Sequence, residues 1–152
     1  MAVLEILDHT YLTDLVIKSQ HGSSNAFAEL YASVCRQQYS YICRSLDSDG
    51  EAADILQEVF TTALHRLPLL QNPELFAVWI TRISFLACLD RMSEKSIPGE
   101  ILKLPAAESQ VLVMHDWQKF SRSEIGDILN MSTNAVTRTL KLARKHLTRK
   151  II

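Results

Sequence analysis

With 152 residues the chain has room for one ordinary domain or two small ones. Its 47% hydrophobic and 22% charged residues exclude wholesale disorder, and its 8 glycines and prolines are too few for the many turns of a β-sandwich or barrel. The net charge of −1 hides a split: residues 1–95 hold 7 Lys/Arg against 12 Asp/Glu, and residues 96–152 hold 9 against 5.

Helical periodicity dominates the chain, so an all-α fold is expected. Leu12, Leu15 and Val16 open a short amphipathic segment that ends at the turn-forming His21-Gly22-Ser23-Ser24. A longer helix is expected over about 25–46, with Phe27, Leu30, Tyr31, Val34, Cys35 and Ile42 on its inner side. Ser48 and Glu51 have the spacing of a capping box before a helix over about 51–67. Two stripes on that helix, Ile55-Val59-Ala63 and Leu56-Phe60-Leu64-Leu67, make a broad apolar face. After a break at Gln71-Asn72-Pro73, a fourth helix runs over about 74–92, with Phe76, Trp79, Ile80, Ile83, Leu86 and Ala87 at core spacing.

The polar stretch 93–103 carries Pro98-Gly99 and reads as a linker. It would join a first domain, 1–92, to a second, 104–152, made of three or four shorter helices. In the second domain Ser121 and Glu124 form another capping box, opening a helix with Ile125, Ile128 and Leu129. Gly126 inside that helix costs about 1 kcal/mol relative to Ala, which points to the close crossing of another helix. Asn130-Met131-Ser132 makes a short turn, and Ser132 or Thr133 can cap the helix that follows. Val136, Leu140, Ala143 and Leu147 form its inner stripe.

This is the layout of a helix-turn-helix whose second helix enters the major groove of DNA. Thr133, Asn134, Thr137 and Arg138 stand at its N-terminal end, where polar side chains meet base edges, and Lys141, Arg144 and Lys145 suit phosphates. No acidic residue follows Asp127. From charge and spacing alone, a helical hairpin with a solvated basic face remains the alternative.

Other chemistry finds little support. Cys35, Cys43 and Cys88 are an odd number with no C-x-x-C, each in an apolar stretch, and no His/Cys pair has metal spacing. No metal or cofactor is therefore expected. There is no Gly-rich phosphate loop and no nucleophile elbow, so an enzyme is not expected either. No apolar run approaches a membrane span and no leader pattern is present, which reads as a cytoplasmic protein without membrane insertion.

Six segments in order resemble the bacterial sigma factors of the extracytoplasmic-function type. Asn25-Ala26-Phe27-Ala28-Glu29-Leu30-Tyr31 resembles the family's A-F-x-x-L-Y, and Ala52 through Phe60 its A-x-D-[LI]-x-Q-E-[VT]-F. Phe76 through Ile83 with Asp90-Arg91 is similar to F-x-x-W-L-x-x-I…D-R. Leu104-Pro105 before Glu108 through Leu112 resembles L-P-x-x-x-R-x-V-x, Glu124 through Leu129 resembles E-I-A-x-x-L, and Val136 through Leu147 resembles V-x-x-x-L-x-x-A-[RK]-x-x-L. The chain departs at Leu86, where the family commonly has Asn, at Met92-Ser93-Glu94, where arginines are usual, and at Thr139, where Arg is frequent.

The resemblance implies a subunit that directs core RNA polymerase to promoters. Asp54, Gln57 and Glu58 would bind the clamp helices of the β′ subunit. Trp79 and Arg82 would lie on the helix serving the −10 element, and the second domain would read the −35 element. An anti-sigma partner, a sigma-like regulator that does not open promoters, and a plain helix-turn-helix repressor stay open at this point.

Overall fold

The computed structural model describes residues 9–46, 50–91 and 97–151. Among them are eight α-helices, two 3₁₀ turns and no strand. They are α1 (His9–Gln20), α2 (Ser24–Leu46), α3 (Ala52–Arg66), α4 (Phe76–Arg91), α5 (Gly99–Leu102), α6 (Ala106–Asp116), α7 (Arg122–Leu129) and α8 (Thr133–Ile151). The all-α expectation holds. Two compact units divide after Cys88, within α4.

In the first unit α1 turns into α2 through Gly22, whose φ of +98° suits a residue without Cβ. The Ser23 hydroxyl accepts the Ala26 N–H at 3.1 Å and caps α2. Val16, Val34, Ile42, Ile55, Val59 and Ile80 are fully enclosed and form the centre of the core. Gln20 reaches from α1 to the α3–α4 connection, its Nε2 donating to the Leu67 and Leu70 carbonyls at 3.0 and 2.8 Å. Ser48 lies outside the described residues, and α3 starts at Ala52 with Glu51 at its N-cap and no side-chain cap bond.

The inner faces of α2 and α4 differ from the apolar patterns. On α2, Leu30, Val34 and Ile42 are buried as expected, Phe27 and Cys35 are half-buried, and Tyr31 is exposed. On α4 the buried residues are Phe76, Ile80, Thr81, Ser84, Phe85 and Cys88, whereas Leu86 is 46% exposed and Trp79, Ile83 and Ala87 are half-buried. The reason is polar. Gln38, only 2% exposed, donates from Nε2 to Thr81 Oγ1 at 3.2 Å and accepts from the Ser84 hydroxyl at 2.7 Å. Buried amides must be satisfied, so this network selects the roll of a helix that is apolar on most sides.

In the second unit α6 is the central element, buried continuously from Glu108 to Met114. The expected linker 93–103 contains α5, which packs on α6 and α8 with Ile101 buried, so its last residues belong to this unit. The expected boundary at residue 92 and the segment 93–96 lie outside the described residues. Helix α7 begins with a complete capping box. The Ser121 hydroxyl accepts Glu124 N–H at 3.1 Å and Glu124 Oε1 accepts Ser121 N–H at 2.9 Å. It ends at Asn130 in the left-handed conformation, φ 56°, which Asn tolerates better than most residues.

The reason for glycine at 126 differs from the expected helix crossing. A Cβ there would lie 2.5 Å from the carbonyl oxygen of Met131, in the turn itself. The turn folds back so closely that Met131 N–H bonds the Gly126 carbonyl at 2.8 Å.

Candidate nucleic-acid interface and docking face

Helix α8 starts with Ser132 as its cap, the hydroxyl accepting Ala135 N–H at 3.0 Å. Val136, Leu140 and Ala143 are buried and Leu147 half-buried, so the inner stripe is as expected. At about 100° per residue, Asn134, Arg138, Lys141 and Lys145 fall on the arc opposite that stripe. All four are exposed, and the three cations have no ion-pair partner among the described residues. Thr133 is exposed and Thr137 half-buried at the edge of the same surface. The Thr137 hydroxyl donates to the Thr133 carbonyl at 3.0 Å. The surface thus offers amide, hydroxyl and guanidinium groups near the helix start and cations further along, the order needed for base edges and phosphates.

Arg144 is differently placed. It leaves α8 at the margin of the buried stripe, and its two terminal nitrogens meet the two carboxylate oxygens of Asp116 on α6 at 3.0 and 3.3 Å. His115 Nδ1 lies 2.7 Å from Asp116 Oδ1. Partial burial pushes the Asp116 carboxyl up, but the bonds from Arg144 and His115 outweigh it and hold the group below its ordinary range. Arg144 is correspondingly raised by its bond to Asp116. On the other margin of α8, His146 Nδ1 lies 2.6 Å from Glu108 Oε1 at the start of α6. These two cross-links were not legible from charge patterning, which counted Arg144 with the free cations.

The first unit carries the second candidate surface. Asp54, Gln57 and Glu58 are all exposed on one face of α3, as their i, i+3, i+4 spacing requires. Beside them α2 and α3 leave an open groove of about 490 Å³, lined by Phe27, Tyr31, Leu56, Phe60, Leu64 and Gln57 among others. Tyr31 packs edge-on against Phe60 with ring centres 4.6 Å apart. Most of the broad apolar face enters the core: Ile55, Val59, Phe60, Ala63 and Leu67 are buried, whereas Leu56 is half-buried and Leu64 is 51% exposed. Spacing alone reads the double stripe only as a broad apolar face; its width is the signal that could have located the groove.

Trp79 and Arg82 are both half-buried on α4. The Trp79 ring lies 5.9 Å from that of Phe76, and the Arg82 guanidinium sits 5.3 Å over the Phe85 ring. Burial lowers the Arg82 pKa. Among the described residues no cluster of His, Cys, Asp and Glu is arranged to hold a metal, and no helix is long and apolar enough to cross a membrane.

Residues 94–147 match the family model of sigma-70, region 4. Among curated proteins no relative matches the chain. Among solved structures the fold is similar to that of CnrH, in its complex with the cytosolic domain of CnrY. That match has a TM-score of 0.54 and 22% identity, covering 93% of this chain and 97% of CnrH. A weaker likeness, TM-score 0.47 at 22% identity, covers 88% of this chain and 97% of a chain of the RsbN–BldN complex. Another, also 0.47 at 12% identity, covers 81% of this chain and 94% of a chain in the complex of the sigma factor RpoE with the anti-sigma factor NepR from Bartonella quintana.

Proposed function

We infer from the sigma-70 region 4 at residues 94–147 that this chain is a sigma factor of the extracytoplasmic-function type, directing transcription initiation. The helix-turn-helix of that segment is its DNA-binding element, and the chain's part in transcription is regulatory, not enzymatic. What supports the reading best is the outward arc of α8, where Asn134, Arg138, Lys141 and Lys145 stand together without intramolecular ion pairs among the described residues.

In this reading Thr133, Asn134, Thr137 and Arg138 contact base edges of the −35 element, and Lys141 and Lys145 contact phosphates. Asp54, Gln57 and Glu58 dock on the β′ clamp helices of core RNA polymerase, with the apolar groove beside Gln57 supplying buried area next to the polar contacts. A partner surface with basic side chains beside apolar ones would match both parts of this face. Trp79 and Arg82 serve the −10 region from their half-buried positions. A sequestering anti-sigma protein is a further partner, in keeping with the complex of CnrH with the cytosolic domain of CnrY. The site of action is the cytoplasm, where core polymerase and promoter DNA are found.

The test is competition with a housekeeping sigma factor for purified core polymerase. The intact chain is expected to compete, and Asp54→Ala to lose that competition while keeping its helical content and melting temperature. Failure of the folded, monodisperse wild-type chain to bind core would overturn the initiation-factor reading and leave an independent helix-turn-helix regulator.

A further inference from the structure

Four cations in the first four turns of α8 look equivalent in sequence, yet one is spent inside the domain. Asp116 is the last residue of α6, where a carboxylate opposes the helix dipole. It is tolerated because two cationic or proton-bearing groups converge on it. Arg144 makes a two-bond pair at 3.0 and 3.3 Å, and His115 Nδ1 lies 2.7 Å from the same carboxylate. A two-pronged guanidinium–carboxylate pair fixes orientation as well as distance. It is also close to electrically neutral as a unit, so it releases few counterions when DNA approaches. At the other margin of α8, His146 meets Glu108, eight residues earlier on α6 and about 12 Å away along its axis. Two tethers from opposite margins of α8 to opposite ends of α6 set the roll of α8, and hence which side chains face outward.

We propose that Asp116 is a positioning residue for DNA recognition: it withdraws Arg144 from phosphate contact and, together with the Glu108–His146 contact, sets the roll that presents Asn134, Arg138, Lys141 and Lys145. The proposal rests on the reading of α8 as the DNA-contacting helix and adds which of its cations stay out of the contact. Lys141 and Lys145 make the phosphate contacts, and Arg144 does not.

The experiment measures binding of the full chain to a short mixed-sequence DNA duplex across a salt series. Each phosphate neutralised contributes about 0.9 to the slope of log affinity against log salt. Lys141→Gln is expected to lower the slope by that amount, which tests the interface itself. Arg144→Gln is expected to keep the wild-type slope. Asp116→Asn frees the guanidinium and is expected to steepen the slope by about 0.9, and adding Arg144→Gln to it returns the slope to the wild-type value. A merely structural role for Asp116 would weaken binding in every buffer without steepening the slope. An Arg144→Gln slope lowered as much as that of Lys141→Gln would overturn the proposal, as would an unchanged slope in folded Asp116→Asn.

Should these variants fail to fold, guanidinium NMR signals of the wild-type chain decide. The Arg138 signal shifts on adding the duplex and the Arg144 signal does not; a shifting Arg144 signal overturns the proposal. Lack of any response from Lys141→Gln, with Arg138 also silent, would instead count against α8 as the interface.

Discussion

The carbonyl oxygen of Met131 occupies the space a side chain on residue 126 would need, 2.5 Å from an ideal Cβ. Alanine would gain helix propensity of about 1 kcal/mol at that position. The clash is with backbone, which cannot rotate aside, and opening the turn would also strain the Met131 N–H bond to the Gly126 carbonyl. Gly126→Ala is therefore expected to destabilise the second unit by roughly 1–3 kcal/mol, the usual cost of overpacking. Thermal unfolding checks this. A rise in melting temperature would mean that the turn relaxes freely and that propensity alone matters there.

Gln38 offers a similar test in the first unit. Its side-chain amide joins Thr81 and Ser84 across the core. Thr81 keeps a second bond to the Ala77 carbonyl when the amide is removed, but Ser84 loses its acceptor. Gln38→Ala combines a cavity with a stranded hydroxyl and is expected to cost about 2–4 kcal/mol in denaturant unfolding. Gln37→Ala, at a half-buried neighbouring position, is expected to cost far less. Equal costs would mean that Gln38 contributes only volume.

The Asp116 carboxyl lies below its ordinary value, after burial has pushed it up and its bonds to Arg144 and His115 have more than offset that. A depressed carboxyl stabilises the fold fully above its unfolded pKa, near ~3.9, and that contribution is lost as pH falls through the lower folded value. Half of the Arg144 side chain is exposed, so solvent screening keeps the effect small. The melting-temperature gap between wild type and Arg144→Gln is expected to be steady near pH 5 and to close below about pH 4. A gap that widens in acid would reverse the assigned sign.

Thiol chemistry distinguishes the three cysteines. Cys88 is buried, and desolvation pushes its thiol up to about 12 despite a bond with Ser45 that lowers it. Cys35 and Cys43 are half-buried. A thiolate-selective reagent near neutral pH is expected to label Cys35 and Cys43 in the native chain and Cys88 only on unfolding. Mass spectrometry of the labelled peptides reads the order directly, and early labelling of Cys88 would show that the α4 core opens readily.

Much of the architecture was legible along the chain because helices are local objects. Apolar spacing located α2, α3, α7 and α8 to within a few residues, and Ser121 with Glu124 announced the start of α7. The outward arc of α8 was readable for the same reason, since the stripe Val136, Leu140 and Ala143 leaves only one other side for Asn134, Arg138, Lys141 and Lys145. Helix α4 was harder. Its apolar residues surround the helix, so periodicity named Leu86 as core, while the structure buries Thr81 and Ser84 against Gln38, more than 40 positions away.

The sequence by itself determined an all-helical chain, a helix-turn-helix with a basic outer face, and the polar triplet Asp54, Gln57 and Glu58 on one side of α3. Each depends on spacing within a single helix, where a rise of 1.5 Å and 3.6 residues per turn leave little freedom. Only the tertiary structure decided which cation of α8 pairs with Asp116, which side of α4 turns inward, and why residue 126 has no side chain. Those outcomes depend on pairs such as Arg144 with Asp116 and Gln38 with Ser84, far apart in sequence and joined by directional hydrogen bonds, which helical periodicity does not encode.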